Sequence, residues 1–504
     1  MDLMAIDLGT SSVKVTVTDS DTGQIVAKGK QGYCLYTPHH GWVESDPTVW
    51  WTAAILAIRE CLSEYPKKTD AIAAIGLSGQ MHGVIPIDKK NRELYNCIMY
   101  NDSRGDSVLK YFSDDLRTRL EQGGYNPLTS MMSAPKLLWL AHNEKEVWQE
   151  TCRWVMPKDY IRMKLTGHIG TDISDASGTS MMDYATHQWM EEIEQVGISL
   201  DKFPKICESA EIVSSTSRQV EMLTGLKEGT PVVCGGADMA CTALGTGAIK
   251  PGTMSVTIGS AGHIIIPMDQ VNPEQIGNYY QMCHAVPNQY YAFGPILSGG
   301  INLAWFRERF MEVSENLTFS QLDTLADKAG MGSSGIFFLP YMAGTVIPHS
   351  DAKARGSFVG LSLNSTTGDM VRAIMEGVGY ACKDIYKVLE EAGIQVDCCK
   401  IGEGGSKSQL WCEIIANAFH IPDCSVMKNK DSAPVGATIL AGMGIQAYKT
   451  WDEAVEKLVR ETKLKQDQKM AEFYETNYKI YKKIYPALKE IYHNIGNISK
   501  EENA

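Results

Sequence analysis

An α/β chain folded as two domains is what these 504 residues predict. Predicted strands and helices alternate from the N-terminus onward, the pattern of the α/β class. The length exceeds what one ordinary hydrophobic core serves. One device, a strand followed by a small-residue turn and a returning strand, opens the chain and occurs again near its middle. That repetition suggests a duplicated domain plan.

Leu3 to Leu8 is apolar and β-prone, Gly9 to Ser12 is a small-residue turn, and Val13 to Thr18 is β-branched at alternate positions. This reads as a hairpin. Asp19 to Gly23 is a second turn, and a third strand starts at Gln24. A helix follows at about Pro47 to Tyr65, with Asp46 or Ser45 as its cap. Ala71 to Ser78 is a buried-type strand that runs into Gly79-Gln80-Met81-His82-Gly83. The device returns from Pro231: Val232-Val233 is a strand, Gly235 to Asp238 a turn, and Met239 to Leu244 a helical start. Met254 to Ile258, the turn Gly259-Ser260-Ala261-Gly262 and His263 to Ile266 form a second hairpin. Gly, Lys and Pro cluster over Gly245 to Gly252, which places the boundary there and gives domains 1–247 and 248–504. The last 50 residues read as helical and end in a polar tail expected to fray.

The net charge of −13 argues against a nucleic-acid partner, because phosphate backbones want a basic face. It leaves room for an anionic substrate in a locally basic or amide-lined pocket. No run of about 18 apolar residues suggests a membrane span. The start Met1-Asp2-Leu3-Met4 lacks the pattern of a signal peptide. The 13 cysteines include no C-x-x-C pair, so reduced thiols in a cytoplasm are expected. Adjacent Cys398 and Cys399 read as strand residues facing opposite sides, given the strand period of two.

Standard nucleotide and metal signatures are missing. The one Gly-Lys pair, Gly29-Lys30, is followed by Gln31 where a phosphate loop needs Ser or Thr. Gly245-Thr246-Gly247 leads to Lys250 and not to the third glycine of a dinucleotide fingerprint. The 11 histidines show no zinc spacing. A nucleotide site would have to be of another kind, and three glycine turns offer one. In Asp7-Leu8-Gly9-Thr10-Ser11-Ser12 a strand-end carboxylate adjoins a turn whose amides and hydroxyls can face phosphate oxygens. Asp7 there could hold hydrated Mg²⁺, with Lys14 adding positive charge; a plain β-turn would look the same. Asp238 follows two glycines at a strand-to-helix junction. It could cap the helix or accept a proton from an attacking hydroxyl. Gly402-Glu403-Gly404-Gly405-Ser406-Lys407-Ser408 opens the helix Gln409 to Phe419, where glycines allow close approach of a ring or phosphate, or simply tight packing.

Taken in order, these turns resemble those of the FGGY carbohydrate kinases, within the actin-like ATPase superfamily. The likeness runs from Leu3 to about Ala447. Ile75 to Gly83 is similar to the sugar-contacting segment of the xylulokinase branch. Asn101-Asp102-Ser103-Arg104, Met156 to Asp159 with Leu165 to Gly167, and Thr171-Asp172 through Ser174 to Thr179 resemble its later landmarks. Met131 to Asn143, centred on Lys136 to Leu140, resembles the first family signature. Gly356 to Leu361 through Asp369-Met370 to Glu376 fits the second.

The resemblance implies two actin-like (ribonuclease H-like) domains with a cleft between them, and a kinase that uses ATP and Mg²⁺ on a small sugar. It implies Asp238 as general base, Asp7 near Mg²⁺ and phosphate, and Met81, His82, Asp238 and position 239 at the sugar. Thr10, Lys14, Ser260, Gly300, Gly405 and Gln409 fall at nucleotide positions, with Ser11, Ser12, Gly259 and Gly404 in the same turns. It further implies a homodimer with no nucleic-acid or membrane partner. D-xylulose is the leading substrate. Xylulokinases, however, commonly carry Asn after the catalytic aspartate, where this chain has Met239, and a thioether does not replace amide hydrogen bonds. Another ketose, a polyol or a sugar acid therefore stays open. Gly259-Ser260-Ala261-Gly262 stands where Gly-Thr-Ser-Gly is usual, keeping one hydroxyl. Two rivals from other classes fare worse. A sugar-responsive DNA-binding regulator needs a basic helix-turn-helix. An actin-like ATPase without sugar chemistry leaves the His82 segment unexplained.

Overall fold

A computed structural model describes residues 1–310 and 317–501. The polar tail end at 502–504 lies outside the described residues. The chain forms two compact units: residues 1–249, 268–291 and 432–460 make the first, and 250–267, 292–431 and 461–504 the second. The first crossing between units falls at Ile249/Lys250, and two later segments return to the first unit.

The first unit is built on a seven-stranded sheet. Its strands are β1 (Asp2–Leu8), β2 (Ser12–Asp19), β3 (Ile25–Gly32), β4 (Ile72–Gly79), β5 (Ile212–Ser215), β6 (Pro231–Val233) and β7 (Gly236–Ala237). β1 is central and buried along its whole length, which is why it reads as a nearly unbroken apolar run. It pairs antiparallel with β2 and parallel with β4. On β4's other side, β6 and then β7 run parallel to it.

Helices cover both faces. Helix α1 (Pro47–Glu64) starts at Asp46, whose side chain accepts a hydrogen bond from the Thr48 amide at 2.8 Å, with Pro47 in the first turn. Trp50, Ala53, Ala54, Ala57, Ile58 and Cys61 form its buried stripe, at the spacing of one helix face. They join Ile6, Leu8, Val13, Val15 and Leu77 in one core, to which Tyr160 and Ile161 of α2 (Pro157–Thr166) also belong. On the opposite face, α3 (Asp238–Thr246) and the helix Ser432–Gly444 approach backbone to backbone. A Cβ on Gly245 would lie 1.8 Å from the Ser432 carbonyl oxygen, and one on Gly436 1.9 Å from that of Cys241. One on Gly76 of β4 would lie 1.9 Å from the Ala437 carbonyl oxygen.

The second unit repeats the hairpin device. β8 (Gly252–Ile258) pairs antiparallel with β9 (Gly262–Met268) and parallel with β10 (Val396–Gly402). β10 pairs with β11 (Asp423–Met427), and β11 antiparallel with β12 (Glu461–Leu464). Cys399 is buried and Cys398 partly exposed, on the opposite faces the strand period predicts. Helix α4 (Ile301–Phe310) follows the second unit's Gly299-Gly300, and α5 (Thr367–Glu391) is closed at its start by a reciprocal Thr366/Asp369 capping box. Helix α6 spans Gln409–Phe419, the range read from the sequence, and a final helix spans Gln468–Glu501. Among the described residues no helix is long and apolar enough to cross a membrane.

Candidate active site

In the first unit the predicted residues gather where parallel strands end. Asp7 on β1 is level with Ser78 on β4, and Gly236 on β7 is level with that same Ser78. Neighbouring strands lie about 4.8 Å apart, so Asp7 and the Asp238 junction flank the end of β4, one strand to either side. The carboxyl ends of strands in an open α/β sheet are where ligands bind. Residues in register share a face, and Lys14 on β2 is in register with Asp7.

The turn after Asp7 is tightly held. The Gly9 amide donates to the Ser12 carbonyl at 3.0 Å, and the Gln80 amide donates to the Leu8 carbonyl at 2.9 Å. The Tyr33 hydroxyl donates to the Gly9 carbonyl. Thr10 is half-buried, Ser11 exposed and Ser12 buried. Asp238 is the first residue of α3, and Ala237, not Asp238, holds the capping position. The Met239 amide donates to Asp238 Oδ1 at 2.8 Å, and both side chains are half-buried.

Met81 and His82 come just past the end of β4, after Gln80, and both are buried. His82 takes the left-handed backbone at φ 66°, uncommon for a residue with a side chain. Its Nδ1 lies 2.6 Å from the Gly178 carbonyl oxygen. That carbonyl only accepts, so Nδ1 carries the proton and Nε2 is left as an acceptor. Burial and the charge of Lys136 hold the imidazole down at about 4 despite the Gly178 carbonyl, so the ring is neutral at pH 7. Lys136 is itself pushed down to about 7 by burial, and its ammonium donates to the carbonyls of Met131 and Met132.

In the second unit three glycine segments meet at the end of β8. The Gly299 amide donates to the Ser260 carbonyl at 2.9 Å, and the Gly300 amide to the Gly259 carbonyl at 2.8 Å. A Cβ on Gly300 would lie 2.7 Å from the Gly259 carbonyl oxygen, and one on Gly405 2.7 Å from Ile258 Cβ. These glycines are there for close backbone approach. Gly404 and Gly405 open a short helical turn that ends at Ser408, whose hydroxyl accepts from the Trp411 amide at 3.1 Å to start α6. Gln409, the first residue of α6, is exposed, and its Nε2 donates to Glu413 at 2.9 Å. Ser260 and Gly404 are also exposed.

Three tyrosines escaped the sequence reading. Tyr33 closes the Gly9 turn. Tyr100 has its phenol pushed up by burial and by the charge of Asp238, with the Thr10 hydroxyl beside it. Tyr291 is fully buried, and its phenol is raised by burial and then by the same Asp238 charge. Tyr100 at least adjoined a quoted motif. Nothing in the local sequence marks the other two.

Known proteins settle the family. The profile of the N-terminal domain of the FGGY family of carbohydrate kinases matches residues 3–245, and that of its C-terminal domain residues 260–445. The chain belongs to the FGGY family. It is thus a carbohydrate kinase, of a family that takes ATP as phosphoryl donor, and its two-unit α/β architecture is the actin-like one the motifs implied. This FGGY kinase is 31% identical to the xylulose kinase of Staphylococcus epidermidis over 490 residues, 97% of each chain. It is 30% identical to the gluconokinase of Bacillus subtilis over 449 residues, 87% of this chain and 86% of the other. The structure of ligand-bound xylulose kinase from Lactobacillus acidophilus superposes with a TM-score of 0.88 at 26% identity, covering 98% of this FGGY chain and 99% of that one.

Proposed function

We propose that this FGGY kinase transfers the γ-phosphoryl group of ATP to a terminal hydroxyl of D-xylulose, with Asp238 as general base. The register carries the reading: it brings Asp7 and the Asp238 junction to either side of β4, just before Met81 and His82. The xylulose kinase relatives support the sugar. Asp238 accepts the proton of the attacking hydroxyl, a role typically worth about 10²–10⁴ in rate. Met81, His82 and Met239 contact the sugar, with neutral His82 accepting a hydrogen bond from a sugar hydroxyl at Nε2.

Thr10, Ser11, Ser12 and Lys14 face phosphate oxygens, and Gly259, Ser260, Gly300, Gly404, Gly405 and Gln409 cradle the nucleotide. Residues 1–247 carry the sugar site and 248–504 the nucleotide site. Asp7 would hold Mg²⁺. Among the described residues no group of three or more His, Cys, Asp or Glu forms a metal cage. A single buried strand-end carboxylate suits an ion that keeps waters and binds through one or two carboxylates plus phosphates. When bound, the ion neutralises phosphate charge. The reading includes a homodimer in the cytoplasm.

Met239 favours a second reading within the same chemistry. It offers no amide to a sugar hydroxyl, and a gluconokinase stands among the relatives, so a sugar acid is the competing acceptor. An ATP-consumption assay over D-xylulose, D-gluconate and ribitol separates them. D-xylulose is expected to show the highest kcat/KM. A tenfold advantage for D-gluconate would hand the site to the sugar acid, and turnover of no acceptor would contradict the proposal. Met239→Asn should raise kcat/KM for D-xylulose about tenfold, the worth of one added hydrogen bond.

A further inference from the structure

Three motifs that resemble family landmarks, Lys158-Asp159, Thr171-Asp172 and Ser174-Asp175, have no part in the chemistry above, yet they meet inside the first unit. Lys158 Nζ lies 2.6 Å from Asp159 Oδ1, 2.8 Å from Asp172 Oδ1 and 3.0 Å from Asp175 Oδ2. Arg162 Nη1 lies 2.8 Å from Asp159 Oδ1. None of these side chains has any exposure. Two cations thus face three carboxylates, and the surplus falls on Asp175. Burial, reinforced by the charges of Asp159 and Asp172 and opposed by Lys158, pushes its carboxyl up to about 7. Asp172 goes the other way. Burial raises it, but the charge of Lys158 and hydrogen bonds from Lys158, Ser174 and Ser209 outweigh that and keep it ionised.

Such a cluster is poor evidence of stability, since well-packed apolar residues often serve as well. Its geometry points outward to one stretch of chain. Asp172 Oδ2 accepts from the Ser174 amide at 2.9 Å, the Ser174 hydroxyl at 2.5 Å and the Ser209 hydroxyl at 2.7 Å. Ser174 spends its one hydroxyl proton on Asp172, so toward everything else its oxygen is an acceptor. The Ala237 amide donates to that oxygen at 2.9 Å, and Ala237 immediately precedes Asp238. Two more bonds grip the same stretch: Arg162 Nη1 donates to the Cys234 carbonyl at 2.5 Å, and the Gly235 amide donates to the Ser209 carbonyl at 2.9 Å.

We propose that Lys158, Asp172 and Ser174 are positioning residues that fix the backbone directly ahead of Asp238 through the Ser174 hydroxyl. The inference rests on Asp238 being the base. The cluster's charge sets the direction of one hydrogen bond. Lys158 keeps Asp172 ionised, Asp172 claims the Ser174 proton, and the Ser174 oxygen can then only receive the Ala237 N–H. A displacement of about 1 Å at a reacting group can lower the rate about a hundredfold, so a tether one residue from the base is well placed to matter. None of the three residues need touch sugar or nucleotide.

The test compares Ser174→Ala, Asp172→Asn and Asp238→Asn with the wild type in steady-state assays, using ATP and whichever of D-xylulose, D-gluconate or ribitol the wild type phosphorylates best. Ser174→Ala leaves the Ala237 amide without its acceptor. Asp172→Asn keeps the shape but no longer dictates the Ser174 proton. Both should lower kcat about 10–100-fold while KM for acceptor and for ATP stays within about threefold, measured per folded molecule as counted by circular dichroism. A wild-type kcat per folded molecule in Ser174→Ala or in a folded Asp172→Asn would overturn the proposal, as would a loss confined to KM. If Asp238→Asn is inactive while the other two are wild-type, positioning alone fails. If Asp238→Asn keeps wild-type kcat, the base assignment fails instead.

Discussion

Gly178 leaves no room for a side chain. A Cβ there would lie 2.7 Å from His82 Cε1, 2.8 Å from its Nδ1 and 3.0 Å from Met81 Cε. The ring cannot retreat easily, because it is buried on a left-handed backbone and bonded to the Gly178 carbonyl. Gly178→Ala should therefore raise KM for the acceptor about tenfold or more and lower stability by about 1–3 kcal/mol through overpacking. KM for ATP should hold, as steady-state kinetics and thermal melts would show. His82 is depressed to about 4 from 6.5, so folding favours its neutral form. Its contribution to stability is present above pH 6.5 and lost as pH falls toward 4. Met81 and His82 were readable as candidate sugar residues because they stand in one short segment that resembles the family's. Their partner Gly178 was not, because it lies 96 residues along the chain from His82 and nothing local pairs the two.

Local signals predicted the elements whose causes are local. Asp46 and Pro47 announced α1, and Gln409 to Phe419 emerged as a helix with those limits. Asp238 was read as a capping-capable residue, and the structure makes it the first helical residue instead, with Ala237 at the cap. The docking of the helix Ser432–Gly444 on α3 and β4 was not legible. Most of that helix is buried, so no amphipathic stripe shows which face meets what. The informative residues are glycines far apart in sequence. Gly245 and Gly436 would each drive a Cβ to within 1.8 and 1.9 Å of a backbone carbonyl oxygen, which cannot move aside as a side-chain tip would. Gly245→Ala and Gly436→Ala should each lower the melting temperature by at least several degrees, more than Gly167→Ala or Gly197→Ala, where nothing lies within 4 Å of the added carbon. Those two control sites have positive φ, so their own loss should be the modest one of backbone strain. Differential scanning calorimetry on the four variants ranks them.

Across the whole molecule, the alternation of strands and helices gave the class and the family motifs gave the architecture. The chain's return to the first unit at 268–291 and 432–460 had no compositional mark. The buried charges of the first unit should also shape the pH response of stability. Asp175 is raised from 3.8 to about 7, so the folded state binds its proton more tightly than the unfolded chain does. The stabilisation from that proton is fully present below about pH 4 and lost as pH rises through about 7. Asp175→Asn keeps a neutral side chain at every pH. Relative to the wild type, its melting temperature should accordingly be higher at pH 8 than at pH 5, as paired thermal melts would show. Everything said of function converges on one carboxylate at the end of β7. The kcat of Asp238→Asn decides it, measured with ATP and the preferred acceptor while calorimetry confirms that ADP still binds. A fall of at least about a hundredfold with KM for ATP within threefold is predicted; a kcat within threefold of the wild type would contradict the assignment.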